Sequence, residues 1–187
     1  MQTSTLSGGF TTPAVQSSNA FRAIMEAMAR PGTIQSVTGS MPPGPLSPAA
    51  GAVLLTLCDT DTPVRLAGAF ACHEVQEWLA FHTGAPIVER AFAMFAVGSW
   101  EDLTPISGYP IGTPEYPDRS ATLIVETSHI EAEGATLTGP GIKDQASLTL
   151  PETPAFQSNS ALFPLGLDFI FTHGDRLAAL PRTTQVS

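Results

Sequence analysis

One lysine, Lys143, is all that this 187-residue chain contains. A cofactor held as a Schiff base would rest on that residue alone, and a polar turn beside Asp144 would leave the linkage open to water. The sequence therefore reads against Schiff-base chemistry. Positive charge of any kind is scarce: eight Lys and Arg face seventeen Asp and Glu, a net charge of −9. Nucleic-acid and anionic membrane surfaces both need clustered cations, so neither is expected as a partner. Only 13% of residues are charged and 43% are apolar, which implies deep burial or surfaces covered by partners. No apolar run approaches the roughly 20 residues of a membrane span. Met1–Gly9 has neither positive charge nor a long apolar run, so it does not read as a signal peptide. Cys58 and Cys72 allow at most one disulfide, and reduced thiols in a cytoplasmic protein are the expectation.

Several chemistries lack their motifs. There is no Gly-x4-Gly-Lys-Ser/Thr loop and no Gly-x-Gly-x-x-Gly after a strand. His73, His82, His129 and His173 are scattered, without His-x3-His or Cys-x2-Cys spacing, so no metal site is expected. No Gly-x-Ser-x-Gly elbow supports a serine nucleophile. His73 follows Cys72, but neighbours i and i+1 do not face each other on a helix. The turn Thr138–Gly141 offers backbone donors to an anion, less the one that Pro140 removes, and reads first as a hairpin turn.

What is there is an α/β pattern. Its most regular stretch is C-terminal: strands at Leu167–Thr172 and Arg176–Leu180 around the turn His173–Asp175. Phe163, Leu165, Leu167, Phe169 and Phe171 alternate onto one face and Ile170 points to the other, so the strand belongs inside a covered sheet. Earlier, Ser17, Ser18 or Asn19 caps a helix to about Ala29, with Phe21, Ile24, Met25 and Met28 as its buried stripe. Ser40–Pro48 holds four prolines and is a loop. Ser47 then Pro48 starts a helix over Ala49–Cys58 that is apolar nearly all round. Val64–Ala67, Ala91–Val97, Ala121–Thr127, Ala135–Thr138 and Ser147–Leu150 read as strands, and a short one is expected near Thr33–Val37. Cys72–His82 reads as a helix closed by Gly84, Ser99 caps one helical turn, and Thr153–Ala161 is a further short helix. Thr104–Asp118, rich in Pro and Gly, is a long ordered loop or a lid. The sum is one α/β domain over residues 1–187, a mixed sheet flanked by helices, with loose termini at 1–13 and 185–187.

The polar groups that stand out are few. Asp59 and Asp61 flank a helix-to-strand turn and read as magnesium carboxylates or as turn caps. His82, at a helix end, is a base or a C-terminal cap. In a lysine-poor chain the arginines, among them Arg22, Arg65, Arg176 and Arg182, are candidates for an oxyanion clamp or for ion pairs with a partner. Arg182, Thr183 and Thr184 form the densest donor group.

Seven blocks, taken together, carry a resemblance: Phe21–Gly32 (FRAIMEAMARPG), Leu54–Val64 (LLTLCDTDTPV), Phe81–Pro86 (FHTGAP), Ala121–Ile124 (ATLI), Leu137–Ile142 (LTGPGI), Phe163–Asp168 (FPLGLD) and Gly174–Thr184 (GDRLAALPRTT). In this order they resemble the PhnH subunit family of the bacterial carbon–phosphorus lyase core complex. The resemblance implies a fold like the large domain of pyridoxal-phosphate-dependent transferases, without that cofactor. It also implies a part in phosphonate catabolism, coupling an alkylphosphonate to the ribose of a nucleoside triphosphate with loss of the base. Other core subunits are the implied partners, with a homodimer when isolated. It supplies no catalytic residues, so Arg22, Asp59, Asp61, His82, Arg176, Arg182, Thr183 and Thr184 stand as candidate ligand or interface positions. The rival expectation is a stand-alone enzyme or binding protein that holds a phosphonate or nucleotide through Arg176, Arg182 and Asp59 or Asp61. A protein that only stabilises its partners is the third.

Overall fold

Alternate side chains of the central strands divide the core in two. Ile124, Ile170, Leu177 and Ala179 fall in one apolar cluster, whereas Leu123, Val125, Phe169, Phe171, Ala178 and Leu180 fall in the other. That is the period of two of a sheet buried on both faces. In the computed structural model, which describes residues 6–187, the elements run α1 (Pro13–Ala29), β1 (Gln35–Ser36), α2 (Pro48–Leu57), β2 (Val64–Leu66), α3 (His73–Thr83), β3 (Phe95–Ser99) and α4 (Trp100–Leu103). They continue with β4 (Thr122–Glu126), β5 (Ala135–Thr138), β6 (Ala146–Leu148), α5 (Pro154–Ser160), β7 (Asp168–His173), β8 (Arg176–Leu180) and β9 (Gln185–Val186).

The main sheet has the order β1-β8-β7-β4-β3-β2. β2, β3, β4 and β7 are parallel, and β8 and β1 join antiparallel. Helices α1, α2 and α3 cover one face. The other is covered by α4, α5 and a small antiparallel sheet of order β6-β5-β9. The expected single α/β domain with a mixed sheet between helices is thus the observed architecture.

Local signals explain most boundaries. Ser47 caps α2, its hydroxyl accepting from Ala50 N at 3.1 Å, and Pro48 opens the first turn. Ser99 caps α4 through Asp102 N at 3.2 Å. Gly84 ends α3 at φ +70°, a left-handed conformation that costs a residue with a Cβ.

Four expectations fail in whole or in part. Helix α1 starts at Pro13, not beyond Ser17, because Pro13 fits the first turn and the Gln16 side chain accepts from Thr12 N at 2.7 Å. Its buried face is Ala20, Ile24 and Ala27, with Met28 packed against the same core, so half of the expected stripe faces inward, while Phe21 and Met25 point to solvent at 46% and 54% exposure. The termini are not loose where they are described. Gly8 O accepts from Met41 N, and Phe10 packs on the core. At the other end Gln185–Val186 is β9, and Ser187 exchanges backbone hydrogen bonds with Thr136. Val186 buries its side chain there, which fixes the tail. The expectation for residues 1–5 lies outside the described residues. Nor does the alternation starting at Phe163 begin so early: Phe163 is exposed and the strand opens at Asp168.

Candidate functional site: a cleft at the carboxyl ends of the parallel strands

In an open α/β sheet the crevice beyond the carboxyl ends of parallel strands is the place where loops diverge and ligands fit. Here the register puts Ser99, the last residue of β3, beside Glu126, the last of β4, and Glu126 beside Thr172 of β7. A cleft of about 460 Å³ opens at this corner, lined by residues 99–101, 126–129 and 149–151. Its volume is that of a small-molecule site.

Glu126 is the half-buried acid of the cleft. Its Oε2 accepts from Ser47 N at 3.3 Å and from Thr172 Oγ1 at 3.0 Å, joining the start of α2 to β7. Burial pushes its carboxyl above the usual glutamate range. The hydrogen bonds from Ser47 and Thr172 and the neighbouring His173 pull the other way, and desolvation outweighs them. The folded carboxyl therefore keeps its proton to higher pH than an exposed glutamate does.

The segment after β4 carries the second set of polar groups. Thr127 N donates to Thr172 O at 2.9 Å, and the Thr127 carbonyl is 2.9 Å from His173 Nδ1, an N–H···O bond. The Ser128 hydroxyl pairs with His129 Nδ1 at 3.0 Å, which leaves His129 Nε2 open. Across the cleft, Thr149 N and Oγ1 both donate to Glu131 O, at 3.0 and 3.2 Å. That bond anchors the Leu150–Pro151 wall. The Trp100 indole is held by Nε1 donating to Glu152 Oε1 at 2.7 Å and lies 4.8 Å from the Phe156 ring. Phe156 in turn meets Phe169 edge-on at 4.9 Å. The aromatic core therefore fixes the Trp100 wall from behind.

The residues singled out from sequence are not gathered here. Arg182 lies at the opposite, amino end of the strands. It bonds Asp168 through three nitrogens, Pro117 O at 2.8 Å and the Ser120 hydroxyl. Its fork is filled by its own chain, so the group expected as an anion clamp is a structural tie. Thr184 is buried beside it in sequence, and Thr183 is half-buried. Asp59 forms a turn, its Oδ1 accepting from Asp61 N at 2.9 Å, and both carboxylates are exposed. Among the described residues no group of three or more His, Cys, Asp and Glu is placed to hold a metal ion. His82 ends α3 as expected, with its ring 5.2 Å from Trp78 and packed beneath Gly9. Arg22 is exposed on α1. Arg176 pairs with Glu131 at 3.2 Å and Arg65 with Glu89 at 2.8 Å. Arg176, opposite His173 in the β7–β8 register, is the one candidate near the cleft end of the sheet. The segment 104–118 is an ordered loop at the amino ends, tied by Arg182 and by Arg90 donating to Pro105 O at 2.7 Å. Lys143 is exposed in the turn between β5 and β6 and is not among the cleft residues, so a Schiff base has no residue to form on there.

Sequence reasoning missed Glu126, Ser128, His129, Trp100 and Thr149. The available signal was the carboxylate at the end of the most apolar strand, LIV then Glu126, where a buried sheet meets its crevice.

Among the described residues no helix is long and apolar enough to cross a membrane. A family model described as bacterial phosphonate metabolism protein (PhnH) matches residues 8–187. The chain is 39% identical over 196 residues, 99% of its own length and 97% of the relative's, to the alpha-D-ribose 1-methylphosphonate 5-triphosphate synthase subunit PhnH of Rhizobium meliloti (strain 1021). It is 29% identical over 177 residues, covering 90% of this chain and 84% of the other, to the putative C-P lyase subunit protein HtxG of Stutzerimonas stutzeri.

Proposed function

From the premise that this chain belongs to the PhnH family of bacterial phosphonate metabolism proteins, we propose that it is a carbon–phosphorus lyase subunit needed to couple an alkylphosphonate to the ribose of a nucleoside triphosphate. The observation that carries this is the near-complete alignment, 99% of the chain, with a relative named as a subunit of a ribose 1-methylphosphonate 5-triphosphate synthase. The chain acts with partner core subunits, in the cytoplasm, and forms a homodimer when isolated. Exposed Phe21 and Met25 on α1, and Phe92 and Met94 before β3, support a protein whose surface is covered in use. Free thiols at Cys58 and Cys72 agree with a reducing compartment. The likeness to the large domain of pyridoxal-phosphate-dependent transferases is part of the same reading, supported by the parallel β2-β3-β4-β7 core.

The test is reconstitution. The tagged chain is co-expressed with the other core subunits, and formation of the ribosyl phosphonate from ATP and methylphosphonate is followed by ³¹P NMR. The chain should co-purify with the set, and its omission should abolish the product. Full product formation without it ends the proposal. The rival reading, a stand-alone anion-binding protein built on an arginine cluster, has lost its main anchor, since the Arg182 donors are already engaged.

A further inference from the structure

We propose that the cleft beyond β3 and β4 takes the heterocyclic base end of a nucleotide, against the Trp100 indole, and turns away the phosphate end. This deepens the reading above and rests on it for the substrate class. Two of the ten lining residues, Glu101 and Glu126, are carboxylates, and none is Lys or Arg. A triphosphate or a phosphonate dianion would enter a field of its own sign with no guanidinium to receive it. The nearest arginine in the sheet register, Arg176, is paired with Glu131.

A neutral, flat, donor-bearing ring meets the opposite situation. The Trp100 indole, half-buried and braced by Glu152 and Phe156, offers a rigid π surface, and Leu150 and Pro151 form the apolar wall. Bases stack on aromatic side chains of this kind with little regard to sequence. At the inner end Glu126 lines the cleft, its Oε2 fixed by Ser47 N and Thr172 Oγ1. Its carboxylate can accept from an exocyclic amine, the donor that an aminopurine edge presents. His129 Nε2 supplies a further group at the mouth. The cleft volume, about 460 Å³, is in the range of sites that enclose small ligands.

The experiment uses the isolated full chain and follows Trp fluorescence on titration with adenosine, with Trp100→Phe identifying the responding indole, since Trp78 is fully buried. Adenosine should quench the Trp100 signal and be displaced by adenine and by ATP. Tripolyphosphate and methylphosphonate should not displace it. Glu126→Gln, folded by circular dichroism, should weaken adenosine binding at least tenfold. No adenosine binding, displacement by tripolyphosphate, or unaltered binding in Glu126→Gln would overturn the inference. Those results leave the subunit reading standing if omission of the chain still abolishes product in the reconstituted set. If the chain is dispensable there but binds adenosine at Trp100, the failure belongs to the subunit reading instead.

Discussion

Arg182 and Asp168 close on each other at the amino end of β7. The Arg182 backbone N–H and Nε donate to Asp168 Oδ1 at 2.9 and 3.2 Å, and Nη2 reaches Oδ2 at 2.5 Å. Their side chains are 12% and 18% exposed, so removing one partner strands the other away from water. Arg182→Ala should therefore lower the unfolding free energy by about 3 kcal/mol. Arg182→Lys should recover less than half, because an ammonium cannot span carboxylate, hydroxyl and carbonyl at once. Urea denaturation measures both. A loss near zero would mean that the loop at 104–118 is held by something else.

Glu126 ties stability to pH in a definite direction. Its folded carboxyl titrates above the ordinary glutamate value because burial outweighs its hydrogen bonds. The folded state thus binds the proton more tightly than the unfolded state does. Its favourable contribution is complete below the ordinary glutamate pKa and disappears as pH rises through the raised one. Glu126→Gln removes that slope. Urea midpoints of wild type and Glu126→Gln, compared from acid to neutral pH, should diverge in favour of the variant as pH rises. Parallel curves would refute the assignment.

The two thiols should behave unlike each other. Cys58 is 7% exposed, and burial, with nearby Asp59 adding to it, pushes its pKa up to about 12. The thiolate is the reactive form, so a rise from 9.0 to about 12 cuts its population roughly 10³-fold. Cys72 is only half-buried, at the start of α3. Ellman's reagent at pH 8 should titrate one thiol in the native protein and two in urea. Two fast thiols in the native state would show that the Cys58 pocket opens readily.

Gly141 fixes how the β5–β6 hairpin meets α1. Its φ is +83°, and a Cβ there would lie 1.9 Å from Ala29 O. Gly141→Ala combines left-handed backbone strain with a collision against a carbonyl at the helix end. It should cost about 2–4 kcal/mol. Gly44, with nothing near its missing Cβ, is the control: Gly44→Ala should change stability by less than about 0.5 kcal/mol. Thermal unfolding of the pair decides, and equal melting temperatures would show that the hairpin is free to move off α1.

Much of this fold could be read in the sequence wherever a local rule governs. Ser47-Pro48, Ser99 and Gly84 act within one turn of chain, so they mark α2, α4 and α3 correctly. Phe169, Ile170 and Phe171 announce a strand buried on both sides because alternation is a property of the strand itself. The errors arise where tertiary partners decide. Helix α1 has two apolar stripes, and only packing against α2 and β8 chooses Ala20, Ile24 and Ala27 over Phe21 and Met25. Arg182 looked like an open clamp because a sequence shows donors but not the Asp168, Pro117 and Ser120 oxygens that fill them. The cleft residues were invisible for the same reason: Trp100, Glu126 and Thr149 lie far apart along the chain, and the parallel register of β3 with β4 and the folding back of β6 bring them together.

The order β1-β8-β7-β4-β3-β2 sets a timetable for synthesis. β1 emerges early, yet its partner β8 is made only after β7, and until β7 arrives the oily flank of β4 has an unclaimed row of amides and carbonyls. A nascent chain must guard that edge until β7 and β8 have left the ribosome. Fragments ending before residue 168 should therefore engage holding chaperones or precipitate, because the middle of the sheet is synthesised long before the strand that closes it.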